Sequence, residues 1–309
     1  MTVLITGATG FVGTALVDRI VREGRWKVRA AARHGMGTLP PGVERVQCEV
    51  GPSTAWERAL DGVQVVIHLA ARVHVMRERA RDALAQFRRV NVAGTLNLAG
   101  QAATAGVHRF LYLSSAKVNG ESGLYGEADA PAPQDAYAVS KHEAEVGLCQ
   151  IGATTRMEVV IIRPPLVYGH GARANFGALM RAVARGVPLP LGAVDNRRSL
   201  VGLDNLVDFI VTCATHPDAA NETFLVSDGE DLSTPDLIRR LGRAMGRPVR
   251  LPPVPPALLL QAATWVGRRD VAKRLIGSLQ LDITKAKRQL GWSPPVSVDE
   301  GLRRAVAPR

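Results

Sequence analysis

The chain of 309 residues carries 39 Lys and Arg against 28 Asp and Glu, a formal net charge of +11, with 5% aromatic residues and three cysteines. That length supports a large core with a smaller lobe, burying roughly three quarters of the unfolded surface, and an odd, scattered set of thiols (Cys48, Cys149, Cys213) excludes a disulfide framework and metal spacing. The basic residues are dispersed and no recognition-helix or zinc pattern occurs, so no nucleic-acid partner is expected; the positive field suits anionic, phosphate-bearing ligands.

The first element is an apolar strand, Val3-Leu4-Ile5-Thr6, running into Gly7, Gly10 and Gly13, with a helical pattern through Leu16, Ile20 and Val21 behind them. The first glycine permits a tight turn and the second lets backbone approach a pyrophosphate. The helix opening at Phe11 and Val12 then presents free N–H groups. This arrangement predicts dinucleotide binding. Because the strand begins at once, no signal peptide is expected and the location is expected to be cytoplasmic.

The second strand, from Trp26 to Ala32, ends at Arg33, twenty residues beyond Gly13. NAD-selective sites place an acid there against the ribose 2′-OH. A guanidinium pairs instead with a 2′-phosphate, so NADP(H) is favoured and NAD(H) is the alternative.

Strands are predicted at 2–6, 26–32, 44–48, 64–69, 109–114 and 157–163, with helices near 11–23, 54–60, 82–104, 135–151 and 174–185. Their alternation indicates an α/β fold with a doubly wound parallel sheet. After Arg163-Pro164-Pro165 the rhythm loosens; 203–216 reads as another sheet-packing helix and Thr223–Val226 as a late strand. The expected division is a dinucleotide-binding domain of 1–165 plus 200–227, and a smaller mixed α/β lobe of 166–199 and 228–309. The longest apolar run, Pro256 to Val266, is too short to span a bilayer.

Tyr137-Ala-Val-Ser-Lys141, with Ser115 upstream, carries the chemistry. Four residues apart on a helix, phenol and ammonium share one face. The cation can stabilise a phenolate, and such a phenol can exchange a proton with a sugar or alcohol oxygen.

With these residues in view, the chain resembles the extended short-chain dehydrogenase/reductase family of nucleotide-sugar epimerases, dehydratases and reductases, which implies a Rossmann-type sheet. The resemblance rests on Thr6-Gly7-x-x-Gly10-x-x-Gly13, His68-Leu69-Ala70-Ala71, Asn91-Val92-x-Gly94-Thr95, Ser114-Ser115, Tyr137-x-x-x-Lys141, Arg163-Pro164-x-x-Val167-Tyr168-Gly169 and Leu290-Gly291-Trp292-x-Pro294. It implies that Ser115 polarises the reacting oxygen, that Tyr137 is acid or base, and that Lys141 holds the nicotinamide ribose and tunes Tyr137. It further implies that Leu69, Ala70 and Ala71 line the cofactor channel, that Asn91 supports the active-site helix, and that Pro164 and Val167 flank the nicotinamide. Glu49 and Val50 stand where members usually carry Asp against the adenine amine. His68, ending an apolar strand, is expected to be a packed histidine and no ligand.

The resemblance also implies a UDP-sugar substrate. Arg198 matches an Arg against the diphosphate, Asn175 a diphosphate or sugar contact, and Leu191 part of a wall for the base. Lys117, in Lys117-Val-Asn-Gly-Glu121, looks like a subgroup of bacterial polysaccharide clusters and is expected near the reacting ring. An exchangeable NADPH at an Arg33 site favours reduction at C4 of a UDP-4-keto-6-deoxy-N-acetylhexosamine. The alternative is a UDP-glucose or UDP-GlcNAc 4-epimerase. A small-carbonyl or sterol reductase and a non-catalytic NADP-binding sensor are further alternatives. A homodimer is a family expectation.

Overall fold

In a computed structural model of the protein, the described residues are 1–34, 37, 39–73, 83–172 and 174–307, without the side chains of 174, 175 and 270. The first half alternates strand and helix: β1 (Thr2–Thr6), α1 (Phe11–Glu23), β2 (Lys27–Ala32), β3 (Glu44–Gln47), α2 (Glu57–Leu60), β4 (Val65–His68), α3 (Ala83–Phe87), α4 (Thr95–Thr104), β5 (Arg109–Leu113), β6 (Gly123–Tyr125), α5 (Ala136–Thr154) and β7 (Glu158–Arg163). The second half adds β8 (Leu166–Tyr168), α6 (Ala174–Ala184), β9 (Leu200–Gly202), α7 (Leu203–Thr215), β10 (Thr223–Leu225), α8 (Thr234–Ala244), α9 (Pro256–Trp265), α10 (Arg269–Ile276), β11 (Leu279–Leu281), α11 (Thr284–Leu290) and α12 (Val298–Val306).

Seven strands form one parallel sheet in the order β10-β7-β5-β4-β1-β2-β3. The chain winds outward from β1 through β2 to β3, then crosses back to β4 and winds the other way. The crevice beyond the carboxyl ends of β1 and β4 is therefore the switch point at which such sheets bind ligands.

Alternate strand residues feed opposite layers. Val3, Ile5, Val65 and Ile67 pack with Leu16 and Ile20 of α1 and with Leu206 and Ile210 of α7. Leu4, Val66 and Phe110 pack with Leu98 and Ala102 of α4 and Ala144 and Leu148 of α5 on the other face. Every residue of β4 is buried, the continuous run that a strand covered on both faces requires. A third core joins Tyr168, Phe176, Leu191 and Leu200 to Ile238 and Leu241 of α8 and Leu302 of α12.

The helix expected over 82–104 is not regular. Position 82 lies outside the described residues, and between α3 and α4 the chain makes a wide π-helical turn, Arg88–Gly94. The helix expected at 54–60 shrinks to Glu57–Leu60, because Thr54 is drawn into a turn by its own hydroxyl, which donates to Glu49 O at 2.7 Å. Two short parallel pairs, β8–β9 and β6–β11, were not legible in the sequence.

Candidate active site

The glycine loop shapes one wall of the crevice. Gly7 adopts φ +69°, a conformation that a side chain disfavours, and a Cβ there would lie 2.8 Å from Ala70 N. A Cβ on Gly13 would fall 2.1 Å from Gly7 O, so only glycine lets α1 start this close to β1. The first turn of α1 has no side-chain cap and no acidic residue. Its N–H groups and positive dipole end are left for an anion.

These residues open into a cavity of about 620 Å³, within the ordinary range of ligand pockets. Gly7, Gly10, Phe11, Val12, Gly13, Arg33, Glu49, Val50, Leu69, Ala70, Ala71, Pro164 and Val167 all line it, and so do Ser115, Tyr137 and Lys141. The topology thus brings the predicted cofactor residues and the predicted chemistry to one cleft. Its shape and its glycine cradle fit a dinucleotide.

Asn91 is the exception. It is buried in the π-helical turn and does not line the cavity. Its Oδ1 accepts from Arg72 N at 2.7 Å, while its Nδ2 donates to Arg72 O at 3.1 Å and to Ser140 Oγ at 3.0 Å. Ser140 in turn donates to Tyr137 O at 2.7 Å. Asn91 therefore belongs with the supports of α5, as the resemblance implies, and not with groups that touch a cofactor: both ends of its amide are taken by protein.

Helix α5 delivers Tyr137 in its first turn. Asp135 caps the helix, its Oδ1 accepting from Ala138 N at 2.7 Å. The half-buried ring of Tyr137 meets Phe87 edge-on, with centroids 6.0 Å apart. Burial, reinforced by the Asp135 carboxylate, pushes the phenol above its usual range. The lowering expected from the Tyr–Lys spacing is not what these neighbours give: the phenol is pushed up.

Lys141, one turn on, is only 1% exposed. Its Nζ donates to Leu113 O at 2.6 Å and sits 4.1 Å from the centroid of the Tyr112 ring. Burial pulls its pKa down to about 7, opposed by the negative charge of Glu145 one turn on. Behind it, Arg163 grips Glu145 through Nε at 3.0 Å and Nη2 at 2.6 Å, and its Nη1 donates to Asn119 Oδ1 at 3.1 Å. The far side of α5 is thus fixed by a buried, bidentate ion pair.

His68 is a packed histidine, as expected. Nδ1 lies 2.6 Å from Thr6 Oγ1 and Nε2 lies 2.9 Å from Thr95 Oγ1, and burial followed by the Lys141 charge lowers its pKa to about 3. It remains neutral and ties β1, β4 and α4 together.

Lys117, expected near the reacting ring, has its ammonium engaged by protein carboxylates. Its ammonium lies between Glu121 Oε1, at 3.0 Å, and Asp135 Oδ2. Two carboxylates hold the charge, and Ser115 Oγ accepts from Lys117 N at 3.3 Å. The rim of the cofactor cleft carries another pair, Arg33 Nη1 to Glu49 Oε1 at 3.4 Å. Sequence reasoning missed Asp135 and the Glu145–Arg163 pair. An Asp immediately before a helical pattern is an N-cap signal that could have found the first; nothing local marks the second.

Just before β9, Arg198 Nη1 donates to Arg274 O at 2.8 Å and Gly277 O at 2.7 Å. Burial, then the neighbouring Arg274, lowers its pKa. Leu191, expected as part of a wall for the base, is buried in the third core together with Val194 and Leu200. Asn175 stands at the start of α6, and its side chain lies outside the described residues.

Over residues 3–227 the chain matches the NAD dependent epimerase/dehydratase family. It belongs to that family. The chain is 46% identical over 309 residues to a UDP-glucose 4-epimerase of Vibrio cholerae, a match covering 98% of this chain and 94% of the relative. MoeE5, solved in complex with UDP-glucose and NAD, shares 26% identity and a TM-score of 0.78, covering 99% of this chain and 97% of that one. UDP-glucose 4-epimerase of Thermotoga maritima, solved with UDP-glucose, superposes with a TM-score of 0.80 at 24% identity over 99% and 97% of the two chains, a likeness of fold. The chain is an extended short-chain dehydrogenase/reductase, an NAD-dependent enzyme of the nucleotide-sugar epimerase/dehydratase type. No described helix is long and apolar enough to cross a membrane.

Proposed function

We propose that the protein interconverts the C4 epimers of a UDP-hexose with a retained NAD. The observation that carries this reading is the convergence of Ser115, Tyr137 and Lys141 on the cleft floored by the glycine loop, in a chain 46% identical to a UDP-glucose 4-epimerase. This reverses the preference for net reduction, which rested on Arg33 as a 2′-phosphate partner. Glu49 stands 3.4 Å from that guanidinium, and its carboxylate would repel a 2′-phosphate while suiting a 2′-OH.

Bound NAD supplies a reversible hydride acceptor, and its cationic oxidised ring would draw the Tyr137 phenol back toward phenolate. Tyr137 then takes the proton of the C4 hydroxyl as C4 gives up its hydride, and returns that proton to the C4 oxygen when the hydride would come back to the opposite face of the turned 4-keto ring. Ser115 donates to the C4 oxygen while it carries carbonyl character. Lys141, held by Leu113 O and Tyr112, presents its charge to the ribose and to the phenol. Residues 1–165 with 200–227 act as the cofactor domain in this reading, and Arg198 in the remaining lobe takes the diphosphate.

A second reading, reduction of a UDP-4-keto-6-deoxy sugar, is favoured by Arg33 occupying the slot where an acid normally selects NAD. Incubation with UDP-glucose, UDP-GlcNAc and a UDP-4-keto-6-deoxy sugar, each with NADPH, separates the two. Interconversion of a UDP-hexose without change at the nicotinamide absorbance band is the expected result. Stoichiometric loss of that band with the keto sugar alone would overturn it.

A further inference from the structure

Helix α9 runs Pro256-Ala-Leu-Leu-Leu-Gln-Ala-Ala-Thr-Trp265 without a charged residue, yet none of its side chains is buried. Only one side is occupied: Leu259 packs against the core of the second lobe. Leu258, Ala262 and Trp265 follow at i, i+4 and i+7 on the outer side and are exposed. Trp265 is 85% exposed and Val266 69%, whereas Trp56 and Trp292 are buried. Helix α10 then folds back with exposed Val271 and with Arg268, Arg269 and Lys273 at the surface. Asp270 is the only acid between positions 256 and 278.

We propose that this α9–α10 hairpin seats the protein on an anionic lipid bilayer surface. The apolar run from Pro256 to Val266 is too short to span the hydrocarbon. A Trp at the edge of an exposed apolar face, bordered by Lys and Arg, instead suits the headgroup boundary, with the cations toward lipid phosphates. The same charges disfavour a second copy of this chain, because a symmetric pairing would join two patches that each hold Arg268, Arg269 and Lys273 with few acids to offset them.

The hairpin is fastened rigidly to its lobe. Thr234 Oγ1 donates to Leu275 O at 2.6 Å, Asn196 Nδ2 to Gly277 O at 3.0 Å, and Arg198 closes the end of α10 through Arg274 O and Gly277 O. Docking therefore fixes the orientation of the substrate lobe, and of Arg198 in particular, to the bilayer.

The test uses the full chain with NAD and two kinds of vesicle, phosphatidylcholine alone and phosphatidylcholine mixed with phosphatidylglycerol. Co-sedimentation with the mixed vesicles, a blue shift of Trp emission, and weakening of both by salt are expected. The triple variant R268E/R269E/K273E should bind at least about a hundredfold more weakly, and Leu258→Ser with Trp265→Ser at least about tenfold more weakly. Both should retain the wild-type melting temperature, since every altered side chain is exposed. Failure of the unmodified protein to bind mixed vesicles, or equal binding to both kinds, overturns the proposal whatever the variants do. So does a self-associated wild type that ignores vesicles and becomes smaller in the Leu258→Ser/Trp265→Ser variant, which would assign the surface to a second copy.

Discussion

Two Arg–Glu pairs flank the candidate site, and their surroundings give the same chemistry opposite roles. Behind α5, Arg163 and Glu145 meet with side chains only 8% and 4% exposed. At the rim, Arg33 and Glu49 meet at 3.4 Å with side chains 65% and 68% exposed. Water screens the rim pair, which contributes little to stability and can be exchanged for a ligand's polar groups. The inner pair has no such substitute: each charge depends on the other, so together they hold the wall that carries Tyr137 and Lys141.

Removing one partner of the inner pair should have the largest effect. Glu145→Gln leaves the Arg163 charge buried without its carboxylate, and chemical denaturation should show a loss of about 3–5 kcal/mol. A loss below about 1 kcal/mol would show that water reaches the pair and erase the contrast.

On the cleft side of the same helix, Tyr137→Phe should lower kcat by at least ~10²-fold. NAD binding, followed by fluorescence quenching, should stay near normal. A variant keeping a tenth of the wild-type rate would remove Tyr137 from the proton-transfer role.

Lys141 links the two sides through pH. Its folded pKa of about 7 lies below the ordinary lysine value, so the unfolded chain holds the extra proton between those values. Stability of the cofactor-free protein therefore rises with pH through that window, and the burial penalty is complete below about 7. Lys141→Met should be most stabilising, relative to wild type, at pH 6. That advantage should shrink by a few kcal/mol, order of magnitude, as the pH approaches 10. An advantage constant across pH would place the titration elsewhere.

The rim pair should give the smallest change in stability and a clear change in selectivity. Glu49→Gln removes the carboxylate facing Arg33, and the melting temperature should not move measurably. The Kd ratio of NADP+ to NAD+ should fall several-fold, about 1 kcal/mol of altered preference. An unchanged ratio would show that the pair does not face the ribose.

Local signals explain what could be read from the sequence. The glycine loop, the apolar strands and the Tyr137–Lys141 spacing are written in consecutive residues, and the structure brings them to one cleft. The carboxylate that holds Lys117 and the hydroxyl that Asn91 reaches lie far along the chain, where no local pattern could show them. Asp135 lies 18 residues from Lys117 and Ser140 lies 49 from Asn91. Arg33 was correctly placed at the rim but read without Glu49, 16 residues away. Residue type indicated what each side chain could do; the tertiary neighbour decided what it does.

The wide turn at Arg88–Gly94 sets local regularity against function. Winding this segment as an uninterrupted α-helix would improve its own hydrogen bonding, but would change the angular phase at which Asn91 leaves the axis. Deleting one residue from the turn would therefore straighten the helix while swinging the amide away from Ser140. A chain so shortened could keep its fold and lose the bracing of its proton donor, making this turn a point where a single lost codon separates being folded from being active.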